Sequence, residues 1–186
     1  MLPPSRITEL AHEEACCDPT FDWQNRQDFD FASRGLIHRP DDAAVYDSEG
    51  NIVWHHKAFE EFLHGDAPPT VHPSLWRHAL LNNFRGLFKV TDGVYQVRGE
   101  SLANVTFVES DNGYIVIDPL TTAEVAAYAL NLLYEHVGEK PIVAMIYSHT
   151  HPDHFGGVRG MISADQVESG QVPVFACDGY VEWVLK

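Results

Sequence analysis

The sequence has few cysteines, and their spacing excludes a disulfide framework. Only 3 cysteines occur among 186 residues. Cys16 and Cys17 are neighbours, a geometry that rarely forms a bridge, and Cys177 lies far along the chain. We therefore expect three reduced structural thiols in a reducing compartment.

Long apolar runs and an excess of basic residues are also lacking. No segment of the sequence approaches the roughly 18 apolar residues of a membrane span. Glu9, Glu13 and Glu14 interrupt the stretch where a secretory signal needs apolar residues, so we expect no membrane span and a cytoplasmic location. Lys and Arg number 12 against 27 Asp and Glu, a net charge of −15. Such an acidic surface disfavours nucleic acid as a partner.

The chain divides into two parts with different patterns. Residues 1–85 are rich in Asp, Pro and His and show little periodicity, which predicts an irregular N-terminal extension of loops and short helices. Within it, residues 47–50 are a predicted turn between apolar segments at 43–45 and 52–54. His55, His56 and His64 are interpreted as a solvated surface rather than an accessory metal site.

Residues 86–186 have the pattern of an α/β domain. Asp92-Gly93 and the 111–113 turn separate four apolar segments, which predicts an antiparallel meander. Thr121 and Glu124 stand in the capping-box relation, predicting a helix that ends at Gly138. The apolar run at 142–147 then predicts a buried strand reached by a crossover, which delivers the next segment to a sheet edge.

That next segment holds four metal-capable side chains within six residues: His149, His151, Asp153 and His154. In an extended chain, side chains two residues apart share a side, and Pro152 disfavours the helical region for His151. His149 and His151 can therefore converge on one ion, while Asp153 and His154 can turn toward a second. Imidazole and carboxylate suit Zn²⁺, Fe or Mn, which leaves the metal open.

Two nearby features bear on this loop. Gly156 and Gly157 allow the backbone to pass close to a crowded site, because they lack a Cβ atom. Asp118 ends the strand that precedes the predicted helix. It either accepts hydrogen bonds from the metal loop or forms an ordinary strand-end turn, and the sequence favours neither.

The spacing His149-x-His151-x-Asp153-His154 resembles the H-x-H-x-D-H signature of the metallo-β-lactamase fold superfamily. Longer strings are similar to the amino-terminal part of the linear alkyl sulfatases of this fold, which hydrolyse sulfate esters such as dodecyl sulfate. These strings lie at 25–29, 70–77, 81–83, 86–99, 115–120 and 154–160. His72 departs from the pattern, since the family has Asn there.

The resemblance implies a fold, a cofactor and a reaction. The fold would be the amino-terminal half of an αββα sandwich, with residues 86–186 as a partial metallo-β-lactamase-like domain. His149 and His151 would bind one Zn²⁺ and Asp153 and His154 another. A water between the two ions would attack a small alkyl sulfate, and Asp153 could orient that water. The family architecture also allows a homodimer.

The resemblance also implies that the site is incomplete, because the family's remaining ligands come from beyond Lys186. We therefore interpret the chain as an amino-terminal fragment or a broken gene product. Two alternatives remain open at this point. One is another hydrolase of the same fold, acting on thioesters, lactams or phosphodiesters, and the other is an inactive fragment that acts as a binding partner.

Overall fold

The computed structural model of the chain describes residues 3–41 and 44–186. Its helices are α1 (Arg6–Cys17), α2 (Gln27–Ser33), α3 (His56–Glu60), α4 (Pro73–Asn82), α5 (Ala123–His136), α6 (Ala164–Glu168) and α7 (Tyr180–Val184). Its strands are β1 (Leu36–His38), β2 (Val45–Tyr46), β3 (Ile52–Trp54), β4 (Gly86–Thr91), β5 (Val94–Arg98), β6 (Val105–Ser110), β7 (Gly113–Ile117), β8 (Ile142–Ile146) and β9 (Val174–Phe175). Short 3₁₀ turns occur at Pro152–His154 and Val158–Gly160.

The chain forms two compact units. The first comprises the residues up to Arg34 together with Ala58–Phe84, and the second comprises Gly35–Lys57 together with Arg85–Lys186. The division of the chain into domains at 1–85 and 86–186 stays a prediction.

Helices α1 and α4 dominate the first unit. The Ser5 side chain accepts a hydrogen bond from the Thr8 amide and so caps α1, whose 12 residues make it longer than the short helices expected in this region. Pro73 occupies the first turn of α4, where its missing N–H has no cost. Trp76 is buried and its indole N–H donates to the Gly65 carbonyl over 3.1 Å.

The second unit is built on a mixed sheet with the strand order β1-β4-β5-β6-β7-β8-β9. Strands β4 to β7 pair antiparallel, so the predicted meander is confirmed. Strands β8 and β9 continue the sheet in parallel with β7, which confirms the crossover and the α/β class. Strands β2 and β3 form a separate antiparallel pair. Part of the 43–45 segment predicted to pair there, Ala43, lies outside the described residues.

The two faces of the sheet differ. One face carries the core, where Val97, Phe107, Val116 and Met145 are at most 1% exposed and pack with apolar residues of α5 such as Leu133. The register places a second row of apolar residues on the opposite face, and these are only half-buried or exposed: Val94, Val108, Ile115, Ile117, Ile146 and Phe175.

The start of α5 differs from the prediction by one residue. Thr122, and not Thr121, is the N-cap, and its side chain accepts from the Val125 amide over 3.4 Å. The Thr121 hydroxyl instead lies 3.3 Å from the Ser101 hydroxyl, so it is engaged with the loop after β5. The end of the helix before Gly138 is confirmed.

One histidine expected at the surface is buried. His56 is 1% exposed, and its Nδ1 lies 2.7 Å from Glu100 Oε2. The other carboxylate oxygen of Glu100 accepts from Arg85 Nη1 over 3.1 Å. Both partners are also buried, at 0% exposure for Glu100 and 4% for Arg85. The surface interpretation is therefore wrong for His56, which packs in the interior against a carboxylate that is distant in sequence.

Candidate metal centre

The metal-capable loop leaves the sheet where strands β7 and β8 end. These strands are parallel, with Ile117 opposite Ile146, and the Asp118 amide donates to the Ile146 carbonyl over 3.0 Å. Carboxyl ends of parallel strands meet at one edge of a sheet, which is where sites of α/β proteins form. Asp118 after β7 and His149 after β8 are therefore neighbours although 31 residues separate them.

Pro152 sets the conformation of the loop as the sequence predicts. His151 is extended, with φ −72° and ψ 137°, and Pro152 opens the 3₁₀ turn Pro152–His154. The His154 amide closes this turn by donating to the His151 carbonyl over 3.0 Å. An extended residue followed by a tight turn brings side chains from both halves of the loop to one place.

The structure brings the four predicted side chains together. The His149 ring lies 4.6 Å from the His151 ring and 4.0 Å from the His154 ring, measured between centroids. Asp153 Oδ2 lies 3.3 Å from His154 Nε2. Their roles as ligands stay a prediction.

Asp118 orders this cluster. Its Oδ1 accepts from the Ser148 amide over 2.8 Å, and its Oδ2 accepts from the Ser148 hydroxyl over 2.6 Å. The same Oδ2 lies 2.8 Å from His154 Nδ1. Because a carboxylate only accepts, Nδ1 of His154 is the donor in this contact, and the neutral ring then has its lone pair on Nε2. Of the two roles left open for Asp118, the structure shows the hydrogen-bonding one.

Ser148 fixes the ring of His149 in a similar way. The serine hydroxyl already donates to Asp118, so at its 3.0 Å contact with His149 Nδ1 it acts as the acceptor. His149 therefore also keeps a lone pair on Nε2. Histidine ligands of metals commonly have their other ring nitrogen fixed in this way by a hydrogen bond.

One pair of potential ligand atoms has the spacing of two ligands in a tetrahedral metal site. Bonds of about 2.0–2.1 Å at tetrahedral angles place two ligand atoms roughly 3.3 Å apart. This is the separation of Asp153 Oδ2 and His154 Nε2. Across the described residues, one group of three or more His, Cys, Asp or Glu side chains has its ligand atoms within 4.8 Å of one another: Asp118, His149 and His154. Both Asp118 oxygens are engaged by hydrogen bonds, so we interpret Asp118 as a support for the ligands.

Close backbone packing holds the loop in place. A Cβ atom at Gly156 would overlap the Thr121 carbonyl oxygen, and one at Gly157 would overlap that of Pro119. The Gly157 amide donates to the Leu120 carbonyl over 2.9 Å. The glycines therefore let the loop lie directly on the segment that follows β7.

An aromatic cluster adjoins the loop. The rings of Tyr147, Phe155 and Tyr180 are mutually 5.7–6.0 Å apart. Burial raises the pKa of Tyr180 to about 12, with smaller contributions from Tyr147, Asp118 and Cys177. Burial also raises the pKa of Tyr147. Both phenols therefore stay neutral at physiological pH.

Two other expectations concern the cysteines and membranes. Cys16, Cys17 and Cys177 are free thiols and all three are exposed. Within the part of the chain that the structure describes, no helix combines the length and apolarity needed to cross a membrane.

Comparison with known proteins shows what this chain resembles. Residues 98–178 match the Metallo-beta-lactamase superfamily. An (R)-specific secondary-alkylsulfatase of Pseudomonas sp is 46% identical over 97% of this chain and 27% of its own length. A linear primary-alkylsulfatase of Pseudomonas sp is 40% identical over 97% of this chain and 27% of that protein. An alkyl/aryl-sulfatase of Saccharomyces cerevisiae is 43% identical over 88% of this chain and 25% of that protein.

A solved structure of an alkylsulfatase has a similar fold. The stereoselective inverting sec-alkylsulfatase Pisa1 from Pseudomonas sp. superposes with a TM-score of 0.90 at 45% identity, covering 99% of this chain and 28% of that one. The chain thus spans about a quarter of the length of the curated relatives it matches. Its residues 98–178 match the Metallo-beta-lactamase superfamily, and the chain resembles the alkylsulfatases over nearly all of its length.

Proposed function

We propose that the chain supplies the metal-binding loop of a zinc-dependent hydrolase of alkyl sulfate esters. The observation that carries this proposal is the joint arrangement of Asp153 and His154, whose free ligand atoms lie at the spacing of a tetrahedral ion. The names of its relatives, which are alkylsulfatases of bacterial and yeast origin, supply the substrate class.

Each motif residue has a role in this proposal. His149 and His151 hold one ion, and Asp153 and His154 hold a second. Zinc ions bound there would lower the pKa of a water, neutralise the oxygens of a sulfate and stabilise the leaving group. Asp153 is 21% exposed in its side chain, so its carboxylate can also accept a hydrogen bond from the attacking water and orient it.

The motif alone gives each ion two protein ligands. A catalytic zinc usually has three protein ligands and a water, so ions held by this loop alone bind weakly. We therefore propose that this chain by itself turns over little substrate. Full activity then requires further ligands from another segment or chain.

Zinc content and sulfate release test the proposal together. The 186-residue chain is loaded with Zn²⁺, dialysed, and assayed for inorganic sulfate released from octyl sulfate, a chain short enough to avoid denaturation. We expect substoichiometric zinc and slow release, and we expect His149→Ala to remove both. His78→Ala is the matched control, because His78 is an exposed histidine of α4.

The possible results separate the parts of the proposal. Two zinc ions per chain with rapid hydrolysis would show that the site is complete without further ligands. Zinc content that is the same in the wild type and in His149→Ala would show that the loop is not the metal site. Release from a thioester, lactam or phosphodiester but not from an alkyl sulfate would favour another hydrolase of this fold.

A second function, as a non-catalytic binding partner, is favoured by the half-buried apolar row on the open sheet face. Adjacent strands contribute Val108, Ile115 and Ile146 to this row, and Phe175 at its end is 55% exposed. Activity that appears only after mixing with a complementary chain identifies a split enzyme. Stable complex formation without activity identifies the binding function.

A further inference from the structure

The side chain of His72 caps the N-terminus of helix α4. The Ser74 amide donates to His72 Nδ1 over 3.2 Å, and the Ser74 hydroxyl oxygen lies 2.7 Å from the same nitrogen. The usual N-cap residues accept such a bond with a side-chain oxygen, which keeps its lone pairs at neutral and mildly acidic pH. A histidine nitrogen accepts only while it carries no proton. The cap of α4 therefore depends on the protonation state of one imidazole.

The first turn of α4 does not compensate a positive charge at its cap. The N-terminal end of a helix carries a partial positive charge, which disfavours a cation there. No acidic side chain lies in the first turn, which begins at Pro73. A proton on His72 thus removes an acceptor and adds an unfavourable charge. The Ser74 hydroxyl can turn to accept from the protonated Nδ1, but the Ser74 amide then loses its partner.

A second titratable ring lies beside this cap. The His12 ring of α1 is edge-on to the His72 ring, with the two centroids 5.4 Å apart. His12 Nδ1 lies 2.9 Å from the Pro69 carbonyl oxygen. A carbonyl only accepts, so His12 donates in this contact and the contact survives protonation of His12. Loss of an acceptor on protonation is therefore a property of His72 and not of its neighbour.

The charged groups near the two rings come from α1. Its ionisable side chains border a cavity of about 510 Å³ together with the segment 67–73: Arg6, Glu9, His12, Glu13, Cys16 and Cys17. The carboxylates of Glu9 and Glu13 favour a protonated imidazole, and Arg6, which lies 3.2 Å and 3.5 Å from them, offsets this effect. These groups influence the pH at which His72 takes up a proton. They do not change the consequence, because a protonated Nδ1 cannot accept.

We propose that His72 is a proton-sensitive cap, which holds the first turn of α4 when neutral and releases it when protonated. This conformational device goes beyond the proposed function and does not depend on it. Histidine is the side chain that changes charge between about pH 5 and pH 8. His72 is exposed, so protons reach the ring and water hydrates the freed Ser74 amide. The release is therefore local fraying of one turn and not unfolding of the whole helix.

The first turn of α4 also holds neighbouring segments of the first unit. The Trp76 amide closes this turn by donating to the His72 carbonyl over 3.0 Å. The Trp76 indole N–H donates to the Gly65 carbonyl over 3.1 Å. In the next residue, Arg77 Nη2 donates to the Asn25 carbonyl over 2.7 Å. Fraying of the turn thus loosens the contacts of α4 with the segments that precede α2 and α4.

Amide exchange measured by NMR on the full chain tests the proton-sensitive cap. The reporter is the Trp76 amide, whose exchange rate is compared with its intrinsic rate at each pH to give a protection factor. In the wild type we expect this factor to fall about fivefold from about pH 7.5 to about pH 5.5, the effect of losing a typical N-cap. His72→Asn keeps an acceptor that does not titrate, so its protection factor is expected to stay constant.

A matched variant and a chelator complete the experiment. His78→Asn makes the same substitution at another exposed histidine of α4 and is expected to retain the wild-type fall. A chelator is present throughout, so the result is independent of the metal loop. A fall in His72→Asn that equals the wild-type fall would overturn the proposal, because another group would then cause it. A constant protection factor in the wild type would overturn it as well.

Nitrogen chemical shifts of the His72 ring give a test that needs no variant. A ring nitrogen without a proton resonates far downfield of a protonated one, so ¹⁵N NMR follows the arrival of the proton at Nδ1. We expect an unprotonated Nδ1 at neutral pH, and we expect its protonation to coincide in pH with the fall of Trp76 protection. A neutral His72 with its proton on Nδ1, or full protection of Trp76 beside a protonated His72, would contradict the cap.

Discussion

Asp118 Oδ2 accepts a hydrogen bond from His154 Nδ1 over 2.8 Å, and this contact fixes which nitrogen of the histidine is available to a metal. Asp118 comes from the end of β7 and His154 from the loop after β8. The pairing therefore joins two segments that the sheet brings together.

Replacing Asp118 by Asn is expected to weaken metal binding with little change in shape. The amide keeps one acceptor oxygen, but its NH₂ group only donates and so cannot replace Oδ2, which accepts from the Ser148 hydroxyl and from His154 Nδ1. Loss of such a supporting hydrogen bond typically reduces metal affinity by about 10–100-fold. Calorimetric titration with Zn²⁺ measures the change. Asp111→Asn, in the exposed turn before β7, is the control, and equal affinity in both variants would contradict the supporting role.

Gly157 lies very close to the segment after β7, so a larger residue at this position is expected to displace the metal loop. A Cβ atom in Gly157→Ala overlaps the Pro119 carbonyl, so the metal loop must move away from Asp118. We expect lower Zn²⁺ affinity and faster amide exchange at Ser148, whose N–H is bonded to Asp118. Hydrogen exchange measured by NMR checks both the site and the rest of the sheet. Unchanged exchange at Ser148 would show that the loop accommodates the methyl group.

The buried group formed by His56, Arg85 and Glu100 predicts a large stability effect. Glu100→Ala removes the carboxylate that both partners contact while the two side chains remain buried. Breaking a buried ion pair by removing one partner typically costs about 3–5 kcal/mol. Urea unfolding monitored by circular dichroism measures the loss. Glu135→Ala, an exposed glutamate of α5, is the control and is expected to stay within about 0.5 kcal/mol of the wild type.

The raised pKa of Tyr180 predicts that the stability of the fold falls at alkaline pH. Burial, the main cause, raises the pKa of Tyr180 to about 12, whereas an unfolded tyrosine titrates near its ordinary value of 10.0. The fold thus favours the neutral phenol. Its contribution to stability is complete below pH 10 and is lost between pH 10 and pH 12.

Absorbance at 295 nm, which reports phenolate, checks this titration. Tyr180→Phe is expected to remove the last tyrosine step and to reduce the fall of stability over the same pH range. Tyr46→Phe, at an exposed position of β2, is expected to change neither. A wild-type titration that is complete by pH 11 would contradict the effect of burial.

Much of the fold is predicted from the sequence because the residues that determine a turn or a strand lie within a short segment. Asp92-Gly93 predicts the turn between β4 and β5, and the apolar run after Pro141 predicts β8. The N-cap of α5 is missed by one residue because Thr121 and Thr122 are both suitable caps. The choice depends on Ser101, which contacts Thr121 from a distant loop.

In the candidate site too, the sequence predicts only the residues that lie close together along the chain. His149, His151, Asp153 and His154 are visible in the sequence because one short segment holds them. The role of Asp118 and the burial of His56 depend on partners 36 and 44 residues away, which only the register of the sheet and the packing of the loops bring near. No local pattern contains that information.

Asp118 and Leu120 adopt left-handed backbone angles, with φ of 58° and 65°, although neither is glycine. Each such residue costs on the order of 1–3 kcal/mol when the surrounding structure must impose the conformation. The backbone between β7 and α5 is therefore strained. In this strained conformation the Asp118 carboxylate faces Ser148 and His154. Glycine at position 118 would relax this backbone but would remove the carboxylate, so the segment exchanges conformational ease for the hydrogen bonds to Ser148 and His154.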